Sequence, residues 1–280
     1  MVFAAGCVKD KGDSKPAQVL GMASGVPPRV SRIFSGGHVV RETFDGSEWT
    51  VAEDKTTALS LLSEFSWSGD TLKSLSINGN SFAMTYDDTL RLVKAESTNA
   101  GVYTYSYFPK TNRLEQADYK APSTGSLVAK KLIYMWSDEQ LRRIRYDCIY
   151  DSEDSYLSEI AYSWGSGSVL SSSKKVTTDW GATTTHCNYK FKHNTRYLNP
   201  LYGLIFCMDP DSGMPYSFQC INGINPYIPS SITGPSFDVN IKVVRYRSDG
   251  CELLLVQHET SEDGNQRTTT DLKYEMEFVN

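Results

Sequence analysis

The chain has 280 residues, 40% of them hydrophobic and 22% charged, which is enough apolar material for a sizeable core. Its 28 basic and 33 acidic residues leave a net charge of −5, with no basic block to neutralise phosphates, so nucleic acid is excluded as an expected partner. No apolar run reaches the length of a membrane-spanning helix.

The N-terminus reads Met-Val-Phe-Ala4-Ala5-Gly6-Cys7. Small residues directly before a cysteine match the lipobox of a bacterial lipoprotein, in which the thiol receives diacylglycerol and the acyl chains hold the protein on the membrane surface. Few residues precede Cys7, so residues 1–28 are expected to be a truncated lipoprotein signal peptide plus a tether. The tether, Val8 to Pro28, mixes Lys, Asp, Gly, Ser and Pro without apolar periodicity, a composition suited to a flexible spacer.

From Arg29 onwards a formula recurs: aromatic, any residue, aromatic, polar turn, then a Leu-led apolar strand. Phe65-Ser-Trp67 leads through a turn to Leu72 and Leu75, and Met84-Thr-Tyr86 to Leu90 and Leu92. Tyr105-Ser-Tyr107 leads to Leu114, Tyr134-Met-Trp136 to Leu141 and Ile144, and Tyr162-Ser-Trp164 to Val169. Val244-Arg-Tyr246 leads to Cys251-Glu-Leu253, and Tyr274 to Phe278 is the expected closing strand. Residues i and i+2 of a strand share a face, and the Gly, Asp, Asn and Ser between them supply turn dihedrals, so each unit predicts a β-hairpin. Repetition every 20 to 30 residues or so predicts a single all-β domain over 29–280. Its expected form is an antiparallel up-and-down meander of ten or more strands, curved or closed into a barrel-like sheet.

Two segments break the pattern. Leu59, Leu62 and Phe65 stand at three-residue spacing and predict a short helix over Thr56 to Phe65. The Pro-rich stretch from about 196 to 235 predicts an irregular excursion, because proline removes ladder donors. Within it, Tyr197, Tyr202, Tyr216 and Tyr227 are the candidate ligand-binding residues, since exposed tyrosine faces stack on sugars or grip peptides. The same rings would equally serve to fill a barrel end.

The hairpin formula, with Asn199-Pro-Leu-Tyr-Gly203 and Tyr246-Arg-Ser-Asp-Gly250, resembles a family of Bacteroidales-type lipoproteins of unknown function with degenerate YD-like repeats. The resemblance spans Arg29 to Asn280. It implies a porin-like β-fold and an outer-membrane lipoprotein of the bacterial cell envelope, and supplies no catalytic residues. The residues after Cys7, Val-Lys-Asp-Lys, depart from the acidic surface-export signal of such lipoproteins, so periplasmic and surface faces both stay open.

Catalytic constellations are missing from the sequence. There is no His-Glu-x-x-His and no Gly-x-Ser-x-Gly, and Gly165-Ser-Gly167 reads as a turn. His186, Cys187 and His193 cannot reach one zinc from a single strand, so no metal and no cofactor are expected. The acidic stretch Asp147 to Asp154 falls where a hairpin turn belongs. Apart from Cys7 there are five cysteines, and Cys207 and Cys220 are the pair placed to face each other in a disulfide, the alternative being buried thiols. Leu141-Arg-Arg-Ile-Arg-Tyr146 puts Arg142 on one face of a strand and Arg143 and Arg145 on the other, so a water-soluble sheet is expected and not one immersed in lipid. The functional expectation is a non-enzymatic binding or scaffold lipoprotein, with its membrane contact through the lipid and a glycan or peptide as ligand. The alternatives are a subunit of an envelope or adhesive assembly, and a glycan-active enzyme whose paired carboxylates leave no sequence signature.

Overall fold

The computed structural model describes residues 29–122, 127–150, 155–165, 167–178, 181–190, 199–209, 224–246 and 252–279. Its strands are β1 (Val30–Phe44), β2 (Trp49–Ser68), β3 (Thr71–Ile77), β4 (Asn80–Tyr86), β5 (Leu92–Ser97), β6 (Gly101–Tyr107), β7 (Leu114–Lys120) and β8 (Leu127–Ser137). There follow β9 (Gln140–Tyr150), β10 (Ser155–Gly165), β11 (Ser168–Thr178), β12 (Gly181–Lys190), β13 (Ser231–Thr233), β14 (Phe237–Tyr246), β15 (Glu252–Asp263) and β16 (Gln266–Phe278). Every neighbour in sequence is a neighbour in the sheet, and β16 pairs with β1, so the meander closes into a barrel of antiparallel strands. The expected all-β, barrel-like meander is therefore what the chain adopts.

The repeated aromatics make the barrel close. In β2, β4, β6, β8 and β10 the pairing register slips directly before Trp67, Tyr86, Tyr107, Trp136 and Trp164. Each of these residues lies opposite the leading apolar residue of the next strand, namely Leu72, Leu92, Leu114, Leu141 and Val169. Each also donates a hydrogen bond backwards to the start of the preceding strand. Trp67 Nε1 reaches the carbonyl of Val30 at 2.7 Å, the Tyr86 hydroxyl that of Leu72 at 2.6 Å, and the Tyr107 hydroxyl that of Leu92 at 2.8 Å. Trp136 and Trp164 reach the carbonyls of Leu114 and Leu141, both at 2.8 Å. One aromatic thus ties three strands together beside a β-bulge, and bulges at matching positions add the twist and bend that curl a sheet on itself. Tyr107→Phe should therefore lose about 1–2 kcal/mol, the cost of leaving a partly buried carbonyl without its donor; urea unfolding followed by tryptophan fluorescence measures it.

The bulges also account for two departures from the sequence expectations. Thr56 to Phe65 is strand, part of β2, and not a helix. Irregularities opposite Ile33/Phe34 and Ser35/Gly37 insert extra residues around Leu59 and Leu62, so the three-residue spacing of Leu59, Leu62 and Phe65 comes from bulged strand. Similarly, Arg142 does not stand on the face opposite Arg143 and Arg145 in simple alternation: Met135 pairs with Arg143 and Trp136 with Leu141, which leaves Arg142 as the extra residue of a bulge.

The hairpin turns follow local chemistry. Asn78 and Gly79, both at positive φ, form the two-residue turn between β3 and β4 that matches strand twist. Between β4 and β5 the Asp87 carboxylate accepts the Thr89 amide at 2.9 Å, the Thr89 hydroxyl at 2.7 Å, the Arg91 amide at 2.9 Å and Arg91 Nε at 2.8 Å. Burial pushes the Asp87 carboxyl up, but these donors together outweigh it and bring it from 3.8 down to about 2. The folded-state value lies below the unfolded one, so the stability it contributes is present above about pH 4 and is lost as pH falls towards 2. Asp87→Asn should lower stability at pH 7 by on the order of 1–2 kcal/mol and flatten the acid limb between pH 4 and 2, as read by thermal melts across pH.

Strand lengths are uneven. β2 pairs with β1 along nearly its whole length but with β3 only from Ser63 onward, so Trp49 to Leu61 forms an edge running past the end of its shorter neighbour. Val51, Leu59 and Leu61 are exposed on it. The bulges and the consecutive charges Glu53, Asp54 and Lys55 are the devices that keep such an edge from pairing with another sheet.

Candidate functional site

Alternation along β8 and β9 separates two faces. Lys130, Leu132 and Tyr134 on β8, and Ile144, Tyr146 and Cys148 on β9, are buried. Lys131, Arg143 and Arg145, which alternate with them, are exposed, and Arg143 and Arg145 lie beside Glu159 and Asp147 at 3.3 and 3.8 Å. The buried set faces the lumen, because the irregular segment between β12 and β13 contacts it there. Leu201, Leu204, Ile205 and Met208, around the 3₁₀ turn Ile205–Met208, are all buried, as are Ile224 and Ile228. The described parts of this segment fill the barrel.

Two polar clasps hold the filling in place. Asn199 donates from Nδ2 to the carbonyl of Asn225 at 2.9 Å and accepts the Leu201 amide at 3.0 Å, which joins the two described arms of the segment. Asn225 in turn donates to the carbonyl of Val169 in the wall at 3.4 Å.

The second clasp is ionic. Lys130 Nζ lies 2.8 Å from Oδ1 and 2.6 Å from Oδ2 of Asp209, with the two side chains only 3% and 4% exposed. The Tyr103 hydroxyl donates to Oδ2 at 2.8 Å. The Tyr119 ring packs against Tyr103 with centroids 4.6 Å apart, and its centroid is 5.8 Å from Lys130 Nζ. Burial, and secondarily the charge of Asp209, pushes the Tyr103 hydroxyl well above its ordinary value, and the same two causes act on Tyr134. Both phenols thus stay protonated donors. The Tyr134 hydroxyl is buried with no hydrogen-bond partner among the described residues. A lysine, a carboxylate and phenols gathered in a buried cluster can stabilise charge or exchange protons.

Of the tyrosines singled out from sequence, Tyr202 and Tyr227 are half-buried in the filling segment, and Tyr197 and Tyr216 lie outside the described residues. Cys7, Cys220 and the side chain of Cys207 also lie outside them, as does His193. Cys148 and Cys187 are buried. Burial raises the Cys187 thiol to about 11, with its hydrogen bond to Ser172 pulling the other way. Among the described residues no three His, Cys, Asp or Glu side chains form a group that could hold a metal.

The Lys130–Asp209 clasp escaped sequence reasoning because its partners are far apart in the chain and one sits in an irregular loop. A signal was present: Lys130 shares its strand face with Leu132 and Tyr134, and a lysine in an apolar row requires a buried counter-charge.

No protein-family model matches the sequence, and no curated protein does. Among solved structures, a porin-like protein from Bacteroides vulgatus ATCC 8482 aligns with a TM-score of 0.50 at 11% identity, covering 88% of this chain and 98% of that one. The TcdB2-TccC3-Cdc42 structure aligns with a TM-score of 0.27 at 12% identity over 84% of this chain and 16% of that one, and Ail of Yersinia pestis with 0.18 at 5% identity over 90% and 99%. The last two scores are too low to bear on the fold. What the first establishes is architecture: this chain has a closed β-barrel similar to that of the porin-like protein.

Proposed function

We propose that the protein is a lipid-anchored barrel of the bacterial cell envelope that acts as a binding or scaffold protein and not as a pore or an enzyme. The observation that carries this reading is the division of the wall: the lumen is filled by apolar side chains from the segment between β12 and β13, while the outward face carries Lys131, Arg143 and Arg145. A bilayer-embedded barrel has the reverse arrangement, and a charged residue at mid-bilayer costs about 2–4 kcal/mol. In this reading the barrel stands in water, and Ala4-Ala5-Gly6-Cys7 offers its membrane attachment through lipid on Cys7. The filling segment has no opening role in this reading. It props the wall from inside, so that the rim loops and the outer face serve as the surface for a partner, with a glycan or an extended peptide as the class of ligand.

The test is detergent phase separation of protein made from the full gene in a lipoprotein-processing bacterial host, with mass spectrometry of the peptide that begins at Cys7. Wild type should enter the detergent phase with diacylglycerol on Cys7, and Cys7→Ser should move to the aqueous phase. Two results would overturn the reading: an unmodified wild type in the aqueous phase, or a Cys7→Ser variant that stays in detergent because the barrel itself sits in lipid.

A further inference from the structure

Lys130 and Asp209 are the one buried pairing among the described ion pairs in which both partners are almost fully enclosed. The amine nitrogen lies within 2.8 Å of both carboxylate oxygens, a phenol donates to one of them, and the Tyr103 and Tyr119 rings pack together beside the pair. Charge burial of this kind is costly, and the neutral amine with a neutral carboxylic acid lies a single proton transfer away. Two groups held in contact react as if at an effective concentration of roughly 10⁵–10⁸ M.

We propose that Lys130 and Asp209 condense to an intramolecular amide, which joins the wall strand β8 covalently to the filling segment. A proton passes from the Lys130 ammonium to Oδ1 of Asp209, giving a neutral amine and a carboxylic acid. A turn of the carboxyl about Cβ–Cγ presents the face of Cγ to Nζ, whose lone pair forms the new N–C bond. The carbonyl π pair moves onto Oδ2, where the Tyr103 hydroxyl stabilises the developing negative charge as an oxyanion donor does. The nitrogen then gives up a proton to the Oδ1 hydroxyl, the C–O bond breaks, and water leaves as Oδ2 regains its double bond. One ammonium and one carboxylate become one secondary amide and one water. Nothing is oxidised or reduced, and no co-reactant is consumed.

The experiment is denaturing mass spectrometry of the reduced, purified full chain, with peptide mapping. Wild type should be lighter than its sequence mass by one water, and a protease digest should contain a branched peptide joining the Lys130 and Asp209 segments. Lys130→Arg keeps a cation but cannot acylate in this way, and should show the full mass. Tyr103→Phe should accumulate the uncondensed form and convert it more slowly on incubation at neutral pH. A wild type of full sequence mass after prolonged incubation would overturn the proposal. So would a water-sized deficit that persists in Lys130→Arg or maps to another peptide. Because the decisive measurement is made on wild type, failure of a variant to fold leaves the answer intact.

Discussion

Lys130→Met should lower stability by about 3–5 kcal/mol, since it removes the ammonium that faces the Asp209 carboxylate inside the barrel. The Tyr103 hydroxyl would still donate to Oδ2, but a neutral phenol does not replace an ammonium. The double variant Lys130→Met, Asp209→Leu removes both charges, and should recover the part of the loss that comes from the charge imbalance, though not any part that comes from a covalent link between the two residues. Guanidinium unfolding monitored by tryptophan fluorescence gives both midpoints. Equal destabilisation by the single and double variants would show that the clasp acts through its shape or its covalent link and not through its charge. The effect should reach beyond the site, because Asp209 ends the 3₁₀ turn that carries Ile205 and Met208 into the core.

Gly101→Ala should be nearly as damaging, by about 3 kcal/mol. Gly101 opens β6 at φ +84, a conformation that L side chains rarely adopt. A Cβ there would stand 2.3 Å from the Lys120 carbonyl oxygen and 2.9 Å from the Tyr119 ring. Neither the backbone of β7 nor a ring packed against Tyr103 can yield without disturbing the next hairpin. By contrast, Gly46 also has positive φ but nothing within 4 Å of its would-be Cβ, so Gly46→Ala should cost only the backbone strain, about 1 kcal/mol. Thermal melts of the two variants side by side separate the steric part from the conformational part.

Much of the barrel was legible because the aromatic pairs do two separable tasks. Phe65, Met84, Tyr105, Tyr134 and Tyr162 fill the lumen, while the residues two places on tie neighbouring strands at the rim. Both tasks need a large side chain at fixed spacing, and so the hairpins show in the sequence. The bulges were harder to see. Leu72 and Leu75, Leu92 and Ala95, Leu114 and Ala117, and Leu141 and Ile144 are buried pairs three residues apart, a spacing that alternation forbids and a bulge permits. The same spacing in β2 imitated a helical period at Leu59, Leu62 and Phe65. The clasp was illegible for another reason: no local pattern fixes which wall residue an irregular segment meets when it turns inward.

The pairing of β1 with β16 has a consequence for how the molecule comes into being. The first strand finds its second partner only in the last, where Val30 meets Phe278 and the Val279 amide bonds the Arg29 carbonyl at 2.8 Å. A folding chain can form hairpins one after another, yet it carries an open β1 flank until β16 is in place. Ring closure joins the first and last strands of the barrel, which places it among slow, non-local folding steps. Throughout that interval the unfinished sheet offers adhesive flanks to its neighbours, so a nascent or truncated chain needs a holdase that the finished ring does not.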